Sequence, residues 1–220
     1  MAASREPALA GSVDDIERAA AAETQTATFG MGCFWGPDAR FGAMEGVVRT
    51  RVGYAGGTTP DPTYHALGDH TEVVQVEYDP EQLSYDDLLD VFWANHAWAS
   101  ASPKRQYRGV VLAHDDGQRQ TAQRRRDALE AETGQNVATA VETLDTFYTA
   151  EDYHQKYELR STPVVGDELD AIYGDAFADS TVTARLNGFV AGHGDPERRA
   201  VLVDALDLPE SVLEELRRRF

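Results

Sequence analysis

The order in which strand-like and helix-like segments alternate is what most constrains the fold of this 220-residue chain. Short runs of alternating apolar residues predict strands, and longer runs with apolar residues three and four apart predict helices. The predicted strands cover residues 26–29, 47–54, 72–78, 106–113 and 137–144, and the predicted helices cover residues 37–44, 85–95 and 118–133. The order β-α-β, β-α-β predicts an α+β fold of the ferredoxin-like split β-α-β type, with an antiparallel sheet and helices on one face.

Segments at both ends of the chain lie outside these units. Residues 1–25 are rich in alanine, and Ser12 followed by Asp15 has the pattern of a capping box, which predicts an N-terminal helical appendage. Residues 26–160 hold the predicted central domain, and residues 161–220 form a predicted helical C-terminal extension. A chain of this length does not require a second core, so one domain with terminal elaborations is the simplest interpretation.

The charge balance excludes some partners. The net charge is -18, with 38 acidic and 20 basic residues, which argues against binding to nucleic acid or to anionic membranes. The lysines are only Lys104 and Lys156, and a surface poor in lysine and rich in carboxylates is typical of a high-salt cytoplasm, although ordinary solubilising charge would also account for it. Residues 1–22 lack the features of a signal peptide, and no apolar run approaches a membrane span, so we expect a cytoplasmic protein.

Cys33 is the only cysteine, which excludes an intrachain disulfide and a multi-cysteine metal site and favours a reducing compartment. Such a thiol is an inert core residue, an incidental surface group or a nucleophile. Cys33 lies in a glycine-rich turn between a predicted strand and a predicted helix. Backbone N–H groups at a helix N-terminus stabilise a thiolate, so we expect a lowered pKa and a reactive thiol. Phe34 and Trp35 offer aromatic surface beside it.

Glu72 is the candidate acid. It shares strand parity with Val74 and Val76, so we expect it to begin a buried row. Burial would raise the pKa of its carboxyl and make it a general acid at neutral pH, whereas a solvated glutamate at a strand end is the alternative. Tyr64 and Tyr107 lie in neighbouring segments. Each could donate a hydrogen bond to this site or be an ordinary core tyrosine.

Seven short strings, each weak alone, follow one another between residues 32 and 155, and the resemblance that they carry covers about residues 26–157. They are Gly32-Cys-Phe-Trp-Gly36, Gly53-Tyr-Ala-Gly-Gly57, Pro62-Thr-Tyr64, His70-Thr-Glu72, Tyr78-Asp-Pro80, Gln106-Tyr-Arg108 and Ala150-Glu-Asp-Tyr-His-Gln155. The ordered set with this spacing resembles the A-type peptide methionine sulfoxide reductases. The resemblance implies that residues 26–160 form a catalytic domain of that family.

The resemblance also implies a mechanism. Cys33 would attack the sulfur of an S-configured methionine sulfoxide, free or in proteins, and become a sulfenic acid. Glu72 would protonate the departing oxygen with the help of Tyr64 and Tyr107, since a sulfoxide oxygen is a poor leaving group without a proton. The expected activity is that of a peptide-methionine (S)-S-oxide reductase.

The remaining expectations concern the substrate and the reductant. The resemblance implies that Phe34 and Trp35 hold the methyl group of the substrate. With no second cysteine in the chain, the sulfenic acid at Cys33 would need an external thiol, either thioredoxin or another dithiol. We expect no bound cofactor and no metal, because the scattered histidines lack zinc-type spacing. We also expect a monomer.

The loop over residues 97–105 departs from the family pattern. It is shorter and contains no acid where the family usually has an aspartate, and the nearest aligned side chain is Ser102. The hydrogen bonding of Tyr107 and the pKa of Glu72 are therefore open at this point. One alternative is a catalytically weak paralogue that binds methionine sulfoxide or senses redox state. A thiol peroxidase is disfavoured, because a peroxide has no methyl group for the aromatic residues beside Cys33 to hold.

Overall fold

The computed structural model of the chain describes residues 23–220. The strands are β1 (Gln25–Met31), β2 (Val47–Ala55), β3 (Thr71–Tyr78), β4 (Gly109–Ala113), β5 (Ala140–Thr143) and β6 (Phe147–Thr149). The helices are α1 (Trp35–Gly42), α2 (Tyr85–Ala94), α3 (Asp116–Thr133), α4 (Tyr157–Arg160), α5 (Val165–Tyr173), α6 (Thr181–Val190), α7 (Pro196–Ala205) and α8 (Glu210–Arg219). The predicted α+β class is confirmed. The helix predicted near Ser12 lies outside the described residues.

The strands form one six-stranded sheet in the order β5-β4-β1-β3-β2-β6. The four central strands are those of the two predicted β-α-β units, and β5 and β6 extend the sheet at its two edges. The expectation of an antiparallel sheet is wrong at one edge, where β5 runs parallel to β4. Helix α3 carries the chain back along the sheet between these strands, and such a crossover gives a parallel pair. The three-residue β6 was not predicted.

Helices α1, α2 and α3 contribute to a buried cluster on one face of the sheet. Phe29 of β1 lies at its centre, with its ring 5.3 Å from that of Phe41 and 5.1 Å from that of Phe92. Helix α2 begins where Ser84 and Asp87 form a reciprocal capping box, as their spacing predicted. This packing holds α1 against the strand that precedes it.

The C-terminal helices have a buried apolar cluster of their own and also contact α1. Glycines allow the backbones of α1 and α6 to approach closely. A Cβ atom at Gly188 would lie 2.4 Å from the Ala39 carbonyl oxygen, and one at Gly42 would lie 2.4 Å from the Ala184 carbonyl oxygen. Helix α1 therefore packs against both the sheet and α6, and α6 also contacts β2. Over residues 23–220, no helix has the length and apolar character to cross a bilayer.

Candidate active site

Cys33 lies in the tight turn that joins β1 to α1. The turn depends on Gly32, whose φ of +95° is a conformation that other residues rarely adopt. Helix α1 begins at Trp35, two residues earlier than predicted, so Cys33 directly precedes its first turn. The Cys33 side chain is exposed and can be reached from solvent.

The pKa of the Cys33 thiol is raised, so the predicted lowering is wrong. Desolvation by the surrounding protein is the largest cause, and the negative charges of Glu72 and Glu158 add to it. A hydrogen bond with the backbone of Trp35 favours the thiolate but does not offset these effects. The helix N-terminus acts in the expected direction, but the two carboxylates that folding brings near the sulfur act against it.

Glu72 is 1% exposed and lies on β3, so its predicted burial is confirmed. Its Oε2 accepts a hydrogen bond from the backbone N–H of Phe34 (3.1 Å), and its Oε1 accepts one from Nε2 of Gln106 (2.7 Å). Burial raises the pKa of the carboxyl, and the bonds from Gln106 and Phe34 only partly oppose that rise. Because Phe34 follows Cys33 directly, the contact holds the carboxyl beside the thiol.

Tyr64 and Tyr107 join the same site. Tyr107 ends a short 3-10 turn, whereas the sequence predicted that it would lie in a strand. Burial, the negative charge of Glu72 and the proximity of Tyr64 and Cys33 raise the pKa of Tyr107 to about 12. A tyrosine hydroxyl is protonated at neutral pH even at its ordinary pKa, and the rise keeps that of Tyr107 able to donate a hydrogen bond. The structure thus brings the four predicted catalytic residues together.

Glu151 was not singled out from the sequence, although it lies in the last of the seven strings. Its Oε1 accepts a hydrogen bond from the backbone N–H of Tyr64 (2.9 Å), and its Oε2 accepts one from the hydroxyl of Tyr54 (2.8 Å). Burial would raise the pKa of Glu151, but these bonds outweigh it and the pKa is lowered. A charged Glu151 therefore ties the loop that carries Tyr64 to β2.

An aromatic wall lines the site on the side of α1. Phe34 is 1% exposed and packs against Tyr54 and His154, with ring centroids 6.0 and 5.1 Å apart. Trp35 is partly exposed and stacks on Tyr157 at 3.6 Å. Its Nε1 donates a hydrogen bond to Nδ1 of His154 (3.2 Å), and burial lowers the pKa of that histidine. Trp35 thus presents the more open aromatic surface, and Phe34 supports it from within.

In the short loop over residues 97–105, the Ser102 hydroxyl bonds within the loop and not to the Glu72 carboxyl. The hydroxyl of Ser102 donates a hydrogen bond to the Lys104 carbonyl oxygen (2.9 Å) within its own loop. The amide of Gln106 contacts Glu72 instead. A neutral amide donor stabilises a carboxylate less than a positively charged donor would. The raised pKa of Glu72 is consistent with this weaker stabilisation.

Arg105 connects this short loop to the loop that carries Tyr64. Its guanidinium donates hydrogen bonds to the carbonyl oxygens of Asp69 (2.6 Å) and Gly56 (2.7 Å). The Asp69 carboxylate accepts bonds from the backbone N–H and hydroxyl groups of Thr58 and Thr59, and these bonds lower its pKa. Both loops around the site are therefore held by hydrogen bonds. Between residues 23 and 220, no group of three or more His, Cys, Asp or Glu side chains could hold a metal ion.

An accessible thiol beside a buried, protonatable carboxyl and two phenol hydroxyls defines a class of thiol-dependent oxidoreductase. A cysteine in this setting can attack an electrophilic sulfur whose oxygen needs a proton before it leaves.

Comparison with known proteins identifies the family. The family model described as peptide methionine sulfoxide reductase matches residues 25–170. The Drosophila melanogaster peptide methionine sulfoxide reductase is 43% identical over 175 residues, which cover 79% of this chain and 71% of that protein. The MsrA of Natronomonas pharaonis is 43% identical over 145 residues, which cover 61% of this chain and 82% of that protein.

Solved structures agree with the sequence relatives. Reduced Mxr1 from Saccharomyces cerevisiae superposes with a TM-score of 0.61 at 27% identity and covers 65% of this chain and 88% of its own. Methionine sulfoxide reductase A of Corynebacterium diphtheriae superposes with a TM-score of 0.57 at 31% identity and covers 63% of this chain and 75% of its own. The chain belongs to the A-type peptide methionine sulfoxide reductase family and is an oxidoreductase.

Proposed function

We propose that this protein reduces methionine-S-sulfoxide, free or in proteins, through a sulfenic acid on Cys33. The observation that carries the proposal is the hydrogen bond between Glu72 and the Phe34 backbone N–H, which joins a buried acid to the residue after the nucleophile. The Cys33 sulfur bonds to the sulfoxide sulfur while Glu72 protonates the sulfoxide oxygen. The S–O bond and the new S–S bond then break as the hydroxyl passes to the Cys33 sulfur. The substrate sulfur gains two electrons and leaves as methionine, and Cys33 loses two and becomes Cys–S–OH.

The raised pKa values of Cys33 and Glu72 suit this step when the two groups are considered together. A thiol beside a carboxylate and a thiolate beside a carboxylic acid carry the same number of protons, so the pair can pass from one form to the other without exchange with solvent. A protonated Glu72 no longer repels the thiolate, because its charge is one of the causes that raise the pKa of Cys33. The reactive form therefore couples a nucleophile to an acid.

The neighbouring side chains complete the site. The hydroxyls of Tyr64 and Tyr107 would donate hydrogen bonds to the sulfoxide oxygen while Glu72 supplies the proton. The ring of Trp35, supported by Phe34, would contact the methyl group of the substrate. Exposure of Cys33 leaves room for a methionine side chain presented by another protein.

Regeneration would depend on a reductant from outside the chain, because Cys33 is the only cysteine. A thiol would attack the sulfenic acid, form a mixed disulfide and release water. A second thiol would then restore Cys33 and leave the reductant as a disulfide. Thioredoxin or another dithiol has this chemistry, and we propose that the protein works with it as a monomer in a reducing cytoplasm, without a bound cofactor.

The test is a steady-state assay with a methionine-S-sulfoxide peptide and excess dithiothreitol, with the Cys33→Ser variant assayed in parallel. We expect the unaltered chain to form methionine and the variant to form none, although both melt cooperatively. No turnover by folded, reduced protein would refute the proposal. It would favour a paralogue that binds methionine sulfoxide or senses redox state, for which the raised pKa of Cys33 would be an explanation.

A further inference from the structure

A buried polar cluster lies behind the active site, centred on the Asp38 side chain of α1. Asp38 and Lys156 are both fully buried. The Asp38 carboxylate accepts hydrogen bonds from the Thr50 hydroxyl (2.5 Å), the Lys156 backbone N–H (3.0 Å), Lys156 Nζ (3.4 Å) and Nδ2 of Asn187 (3.2 Å). A buried ion pair is stable only when further hydrogen bonds satisfy its charges. The cluster therefore couples α1, β2, the Lys156 segment and α6.

Lys156 links this cluster to the aromatic wall. Its backbone has a φ of +54°, in the left-handed region that residues other than glycine seldom adopt. Its ammonium group donates a hydrogen bond to the Thr50 carbonyl oxygen (2.6 Å), which anchors the strained residue to β2. His154 and Tyr157 lie on either side of Lys156, and they are the residues that bond to and stack on Trp35.

Helix α6 contributes one side chain to the centre of this arrangement. The Asn187 amide accepts a hydrogen bond from the Leu159 backbone N–H through Oδ1 (3.0 Å) and donates one to Asp38 through Nδ2. One amide thus joins α4, which begins at Tyr157, to α1, which begins at Trp35. The two stacked rings belong to the two helices that Asn187 connects.

We propose that Asn187 is a positioning residue for methionine sulfoxide reduction and acts through Asp38 on the placement of Trp35. Loss of its amide would leave Asp38 with fewer donors and would let α1 shift relative to α4. Trp35 would then lose its stacking on Tyr157. The inference rests on the proposed function and gives the C-terminal extension a role in substrate binding.

The test compares Asn187→Ala with Val203→Ala in the full-length protein. Val203 is buried in the C-terminal apolar cluster, so its truncation also lowers stability but leaves the Asp38 cluster intact. Both variants are assayed well below their melting temperatures. We expect Asn187→Ala to raise the KM for the sulfoxide peptide by about tenfold. This is less than the roughly 10²-fold cost of a misplacement of about 1 Å, because the Thr50 hydroxyl and the Lys156 N–H still donate to Asp38. The KM for dithiothreitol should not change, and Val203→Ala should match the unaltered chain.

Thr50→Val provides a second route if Asn187→Ala does not fold. It removes a different donor to Asp38 with little change of shape, and the same rise in the KM for sulfoxide is expected. An unchanged KM in the Asp38 cluster variants, or an equal rise in Val203→Ala, would overturn the inference while the proposed function stands. Absence of turnover in the unaltered chain would refute the proposed function itself, and the inference with it.

Discussion

Replacement of Glu72 by glutamine separates the acid from the nucleophile. In the structure the carboxylate accepts hydrogen bonds from the Phe34 backbone N–H and from Gln106. In Glu72→Gln the side-chain carbonyl can keep the bond to Phe34. The Gln106 amide can rotate so that its own oxygen accepts from the new NH2 group, since an amide offers both a donor and an acceptor. The variant should therefore fold normally and lose only the proton and the charge.

Glu72→Gln should slow reduction of the sulfoxide but speed alkylation of Cys33. Loss of the general acid should lower kcat/KM for the sulfoxide by about 10² to 10⁴-fold, the usual contribution of a positioned acid. Loss of the negative charge should lower the pKa of Cys33, because the charge of Glu72 is one of the causes that raise it. More of the thiol is then ionised at neutral pH, and Cys33 should react faster with iodoacetamide.

The pH dependence gives an independent check. In the unaltered chain, kcat/KM should follow a bell-shaped curve, because the reactive pair carries one proton and loses activity when it gains a second or loses the first. The pKa values of both groups are raised. The apparent pKa of the acidic limb should therefore exceed that of an ordinary glutamate, and the apparent pKa of the alkaline limb should exceed that of an ordinary cysteine. Glu72→Gln should keep only the rise with pH that accompanies ionisation of Cys33. This reasoning would be refuted if Glu72→Gln reacted more slowly both with the sulfoxide and with iodoacetamide, or if its kcat/KM kept the same bell-shaped dependence on pH.

Three further predictions concern the surroundings of the site. Glu151→Ala should lower kcat/KM by about tenfold because the Tyr64 loop loses its anchor. Glu151→Gln should remain close to the unaltered chain, because its carbonyl oxygen can accept from the Tyr64 N–H while its NH2 group donates to the Tyr54 hydroxyl oxygen. Equal losses in the two variants would contradict the anchoring role. Phe92→Ala should lower the free energy of unfolding by about 3–5 kcal/mol in urea denaturation, because the ring is fully buried against Phe29; a loss below 1 kcal/mol would count against this packing. The melting temperature should rise with molar KCl, because salt screens the excess negative charge; an unchanged value would argue for ordinary solubilising charge.

Local alternation was sufficient to predict the burial of Glu72. Residues two apart in a strand face the same side, so Val74 and Val76 indicate the environment of Glu72 without knowledge of the neighbouring strands. The turn around Cys33 was predicted for a similar reason, since Gly32 and the start of α1 are adjacent in the chain. Features set by neighbours in sequence were therefore accessible from the sequence alone.

The electrostatics of the site depended on residues far apart in the chain. Glu158 lies more than a hundred positions after Cys33 in the sequence, yet its charge helps to raise the pKa of the thiol. The contacts of Glu151 with Tyr54 and Tyr64 likewise follow from the tertiary fold. Burial of the thiol by tertiary packing is the largest cause of its raised pKa. No local pattern indicates this burial or these contacts, so the helix terminus alone led to the expectation of a lowered pKa.

The direction of the edge strand β5 is another feature that local sequence patterns do not determine. A period of two predicts a strand but contains no information on its direction, so the parallel pairing of β5 with β4 could not be predicted from alternation. The length of the α3 crossover was the one available signal. Likewise, no local pattern indicates that Lys156 is buried against Asp38 while Lys104 is exposed.

The most direct test of the central claim is a single turnover without any reductant. Reduced protein is mixed with excess methionine-S-sulfoxide peptide, methionine is quantified by chromatography, and the protein is trapped with dimedone for mass spectrometry. We predict one methionine per chain, with the sulfenic acid adduct on Cys33. Formation of methionine without modification of Cys33, or no methionine from folded and reduced protein, would contradict the account.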